Sequence, residues 1–115
     1  MRQSKHDKRI RRHRRVRARI QGTASRPRLS VYRSNKHVML QLIDDEVGKT
    51  LVAVSDREVK GKKTKSERSY EAGKLLAERA QKLKISRAVF DRGGYRYHGR
   101  IQRAATGARE NGLTM

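Results

Sequence analysis

Arginine alternates with aromatic side chains in Asp91-Arg-Gly-Gly-Tyr-Arg-Tyr-His-Gly-Arg100, where Arg92, Arg96 and Arg100 stand among Tyr95, Tyr97 and His98. A guanidinium grips a phosphate through paired hydrogen bonds, and a tyrosine or histidine ring stacks on an unpaired base or bonds a ribose 2′-hydroxyl. The glycines between them let backbone approach a bulky partner. A second basic stretch, Arg26-Pro-Arg28 leading into Tyr32-Arg-Ser-Asn-Lys-His37, offers Arg26, Arg28, Arg33, Ser34, Asn35, Lys36 and His37 to the same chemistry. Packing competes for the aromatic pair. One of Tyr95 and Tyr97 is expected to fill the gap between sheet and last helix, and the other to be exposed.

Other chemistries find little support. Gly48-Lys-Thr50 ends like a phosphate-binding loop, but the glycine that pattern needs five residues earlier is Ile43. His6, His13, His37 and His98 contain no pair at metal-ligand spacing. Asp44, Asp45 and Glu46 cluster in one turn, where local charge balance is the ordinary role in so basic a chain. The chain has no cysteine, which removes disulfides, thiolate zinc sites and thiol catalysis. No catalytic residue, metal or cofactor is expected.

Charge points the same way as the arginine–aromatic clusters. In 115 residues there are 31 Lys and Arg against 11 Asp and Glu, a formal net charge of +20. So short a chain repels itself unless a polyanion neutralises it, and nucleic acid is the commonest one. Residues 1–28 hold twelve of the basic residues and a single acid, Asp7. Arg9, Arg11, Arg12, Arg14, Arg15, Arg17 and Arg19 surround only Ile10, Val16, Ala18 and Ile20. Such a stretch buries too little apolar surface to offset its ordering entropy. Residues 1–25 therefore read as a flexible basic arm, disordered or helical on RNA, and 26–115 as the globular domain. No apolar run approaches the roughly 20 residues of a membrane helix, and the basic N-terminus lacks the apolar core of a secretory signal.

The elements that must position these residues follow from hydrophobic spacing. Pro27 fixes φ after the linker, and Leu29–Arg33 alternates as a strand. Ser34–Lys36 turns the chain into a second strand, His37–Ile43, apolar on both faces and so expected to be covered on both. A turn at Asp44–Gly48 leads to a third strand, Thr50–Ser55, completing an antiparallel meander. A lysine-rich loop over 56–66 ends at Thr64, which with Glu67 fits a capping box. The helix from about Ser66 to Lys84 carries the stripe Gly73, Leu76, Ala77, Ala80 and Leu83. Ser86–Asp91 is a fourth strand, parallel to a neighbour after a right-handed crossover. The last helix, Gly99–Asn111, buries Ile101, Ala104, Ala105 and Ala108, with Gly112 as the residue beyond its cap. The order βββαβα predicts an α/β domain on a mixed four-stranded sheet.

Arg28–His37, Gln41–Asp45, Phe90–Arg100 and Ala108–Leu113 together resemble the eighteenth protein of the bacterial large ribosomal subunit, the 5S rRNA-binding family. The resemblance runs in order along the whole chain and is most specific at 90–100. It implies a ribonuclease-H-like mixed α/β domain with a basic arm, without enzymatic activity. It also implies binding to 5S rRNA, contact with 23S rRNA and with neighbouring 5S-binding ribosomal proteins, and a place in the central protuberance of the cytoplasmic ribosome. Two positions depart from the pattern: Gly107, where the family prefers alanine, and Met115, where an aromatic is usual. A ribonuclease-H-like nuclease is the rival of another class, and would need Asp44, Asp45, Glu46 and Asp91 to gather around Mg²⁺. A DNA-architectural protein is a second rival, disfavoured by the lack of a recognition helix.

Overall fold

The computed structural model describes residues 8–12, 14, 21–91, 95 and 97–115. The expectations at Arg15, Arg17, Arg19, Arg92 and Arg96, and those for the arm as a whole, lie outside the described residues. Residues 8–12 and 14 have helical backbone.

Strand β1 spans Arg28–Arg33, β2 Val38–Asp44 and β3 Lys49–Ser55. A 3-10 turn over Asp56–Glu58 follows, then helix α1 (Lys65–Lys82), strand β4 (Val89–Asp91) and helix α2 (Gly99–Glu110). The sheet order is β3-β2-β1-β4. β1, β2 and β3 form the antiparallel meander, and β4 joins β1 in parallel, with Leu29 opposite Phe90. The fourth strand is shorter than its hydrophobic run: Arg87 pairs instead with Thr114, so the chain's end is clipped beside β4.

Alternation puts Leu29, Val31, Val38, Leu40, Leu42, Val52 and Val54 on one face of the sheet. They share a single core with Leu76, Ala77 and Ala80 of α1 and Ile101, Ala104 and Ala108 of α2. Both helices thus cover the same face. The expectation that β2 is covered on both sides is corrected here. Its other face carries Met39, 43% exposed, opposite Tyr32 of β1, 60% exposed. A few apolar side chains on the second face of a sheet need no partner layer, since much of any folded surface is apolar. Leu83 also leaves the predicted stripe: it caps α1 and is exposed.

Small residues set the helix spacing. A side chain at Gly73 of α1 would collide with the Ala104 carbonyl of α2, and one at Gly107 of α2 with the Tyr70 carbonyl of α1. Gly107 gives up helix propensity of about 1 kcal/mol relative to alanine, and the close backbone approach is the physical reason it suits this position.

Candidate RNA interface

The turn between β1 and β2 is held tightly by its own backbone. Ser34 N–H donates to the His37 carbonyl at 2.8 Å, and His37 N–H donates back to Ser34 Oγ at 3.1 Å. Ser34 is therefore engaged within the turn, while Asn35 and Lys36 project into solvent. The His37 ring N–H at Nδ1 donates to Asp56 Oδ1 at 2.9 Å, anchoring the tip to the turn after β3. Asp56 is fully buried, and its Oδ2 has no hydrogen bond among the described residues.

The second segment docks on this tip. The Tyr95 hydroxyl donates to the Arg33 carbonyl at 3.1 Å, and Arg100 Nη1 donates to the Asn35 carbonyl at 3.3 Å. The guanidiniums of Arg9 and Arg33 lie 4.8 and 6.0 Å from the centre of the Tyr95 ring, within reach of its π face. Residues from the arm, the hairpin tip and the start of α2 thus meet at one end of the sheet. A fourth contributor comes from outside the predicted segments. Lys65 Nζ, at the start of α1, donates to the same Asn35 carbonyl at 2.8 Å.

Tyr95 is the half-buried member of the aromatic pair and packs against the core. Tyr97 is 37% exposed, sits edge-on to Phe90 at 5.8 Å, and accepts a hydrogen bond from Arg109. His98 is the exposed N-cap residue of α2, with no capping bond from its side chain. Arg26 is exposed in the linker, close to the tight turn it forms with Thr23. Arg11, Arg12 and Arg14 lie on the helical part of the arm, Arg11 and Arg14 exposed.

Arg28 stands apart from the other arginines. It is buried, with Nη1 2.9 Å from Asp91 and Nε 3.0 Å from Asp45. Burial opposes its charge, but hydrogen bonds and attraction from the two carboxylates prevail and raise its pKa. Its guanidinium joins β1, β4 and the β2–β3 turn, so its place in the structure is internal. Three of the four carboxylates that a nuclease would need are likewise engaged in the scaffold: Asp91 and Asp45 on Arg28, and Asp44 on the Glu46 amide. Among the described residues, no three His, Asp or Glu side chains gather as metal ligands.

Lys65 is the residue at the interface that neither basic segment of the sequence pointed to. Its signal was nonetheless present. Lys65 and Arg68 are two cations in the opening turn of a helix, where the backbone dipole favours acids.

Comparison with known proteins places these features in a family. Residues 3–115 match the family described as ribosomal L18 of archaea, bacteria, mitochondria and chloroplasts. The large ribosomal subunit protein uL18 of Limosilactobacillus reuteri is 59% identical over 115 residues, covering 96% of this chain and 97% of the relative. The protein of the same name from Thermotoga neapolitana is 52% identical over 116 residues, covering 96% and 95%. That from Lactobacillus johnsonii is 55% identical over 115 residues, covering 96% and 97%.

Proposed function

Because this chain belongs to the ribosomal L18 family, structural and non-enzymatic components of the large ribosomal subunit, we propose that it binds 5S rRNA through the hairpin tip and the start of α2. In this reading it also contacts 23S rRNA, and with neighbouring 5S-binding ribosomal proteins helps attach the 5S particle in the central protuberance. The basic arm adds attraction for phosphates, while the domain supplies selectivity.

One observation carries the reading. Tyr95 and Arg100 hydrogen-bond to the backbone of Arg33 and Asn35, so two basic segments far apart in sequence form one rigid surface. Charges already fixed in place lose little entropy on binding, and a fixed array can recognise the shape of a folded RNA.

The test is a competition between 5S rRNA and a DNA duplex of equal length at physiological salt. The 5S rRNA should bind more tightly. Exchanging the exposed cation Lys36 for alanine should weaken that binding by a factor of about ten while leaving the melting temperature nearly unchanged. Equal affinity for the two nucleic acids would refute the assignment.

A further inference from the structure

Two groups of arginines in this domain contrast. Arg28 and Arg79 are paired with acids: Arg79 donates to Glu58 at 2.6 Å, which raises the arginine's pKa and lowers the glutamate's. Arg33, Arg68 and Arg100, around the hairpin tip, have no such partner among the described residues. There, the only hydrogen bond from the Arg100 side chain goes to a neutral carbonyl at 3.3 Å, and the Arg33 guanidinium faces the Tyr95 ring. Nothing among the described residues accepts from the Arg68 guanidinium, and its Nε is buried without a partner. Burial lowers the pKa of Arg100 first, and repulsion from Arg33 and Arg68 lowers it further. Asp56 is the opposing carboxylate, and one of its oxygens already holds His37.

Lys65 belongs to the same group by geometry. It shares the Asn35 carbonyl with Arg100, at 2.8 and 3.3 Å, so the two cationic groups lie within the span of one phosphate. Four cations gathered against the single buried carboxylate of Asp56 cost the folded state energy. An anion bound among them would remove that cost and supply the missing acceptors.

We propose that Lys65 and Arg68 of α1, together with Arg33 and Arg100, clamp one backbone phosphate of the bound RNA over the β1–β2 turn. The proposal rests on the RNA-binding reading above, and extends the interface to α1. A phosphodiester fits better than a base here, because the unpaired donors are all cationic and guanidiniums match its oxygens in pairs.

The full chain carrying Lys65→Ala and Arg68→Ala should be compared with the parent in a salt series of 5S rRNA binding. The double variant should bind about tenfold more weakly, and its salt slope should fall by about 0.7–0.9, the value of one neutralised phosphate. Lys82→Ala serves as the control. It removes a charge from the same helix, about 25 Å away at 1.5 Å per residue, and should leave the slope unchanged. Arg68→Gln, at a guanidinium with no acceptor among the described residues, repeats the test should the double variant fail to fold. A parent-like affinity and slope in these variants would overturn the clamp and leave the RNA reading standing. A parent that does not bind 5S rRNA would overturn both. Inorganic phosphate titrated against the parent separates the two sources of the anion. Phosphate binding abolished in the variants, with RNA affinity intact, would assign the cluster to free phosphate and overturn the proposal.

Discussion

Arg28 shows how little a residue's type says about its use in so basic a chain. Its neighbours in sequence, Arg26 and Arg33, are exposed, whereas its own guanidinium bridges Asp45 and Asp91. Asp91 is fully buried, so removing the arginine takes a cationic partner from a carboxylate held away from water. Breaking such a pair from one side costs about 3–5 kcal/mol. Arg28→Ala should therefore lower the unfolding free energy by that order in urea denaturation. The variant that remains folded should bind 5S rRNA nearly as well as the parent, which filter binding at low temperature can measure. A loss of affinity with unchanged stability would make Arg28 an RNA contact after all. Alternation alone pointed outward here, because Arg28, Ser30 and Tyr32 lie on the sheet face opposite the core. The two acids that turn it inward lie 17 and 63 residues further on.

At the level of elements, both helices end in the same way. Beyond α1, Ile85 N–H donates to the Ala80 carbonyl and Lys84 N–H to that of Gln81; beyond α2, Leu113 and Gly112 donate to Ala108 and Arg109. This Schellman arrangement needs a left-handed residue. It is Gly112 at φ 109° in one case and Lys84 at φ 59° in the other. A side chain in that region costs about 1–2 kcal/mol. Lys84→Gly should thus stabilise the protein by about 0.5–1 kcal/mol, once glycine's greater freedom in the unfolded chain is set against the relief. A thermal melt at low protein concentration would detect the shift, and a lower melting temperature would count against the capping geometry. These ends also mark what was legible beforehand. Gly112 announced the end of α2 by its type, and Lys84, an ordinary helix former, led to an α1 drawn two residues too long. The meander and the stripe of α2 were readable because period 2 and period 3.6 stand out along them, and the parallel sense of the fourth strand followed from the crossover through α1. The open face of β2 was not, since apolar residues at alternate positions look alike whether a layer covers them or water does. Within the site, the tip and the 95–100 segment could each be found by composition. Their meeting, and the part α1 takes in it, depends on which elements reach the same end of the sheet, and no local pattern encodes that.

Across the whole molecule, charge is divided between a domain that pairs some of its arginines and an arm that is almost uniformly basic. Removing residues 1–20 should weaken 5S rRNA binding and flatten its salt dependence, by about 0.7–0.9 for every phosphate the arm had neutralised. The shortened chain should still discriminate 5S rRNA from duplex DNA, and loss of that preference in a folded domain would place selectivity in the arm. The sheet's connectivity also has a consequence in time. β1 lies in the middle of the sheet, yet its parallel neighbour β4 follows only after β2, β3 and the whole of α1. Asp91 is translated 63 residues after the arginine it neutralises, a lag of about 3–13 s at 5–20 residues per second. During that interval the nascent meander exposes the edge of β1 that β4 later covers, and Arg28 lacks its Asp91 partner. Closure of the sheet must wait until β4 has emerged, so for that interval the growing polypeptide stands at the ribosome as an unfinished, strongly cationic chain.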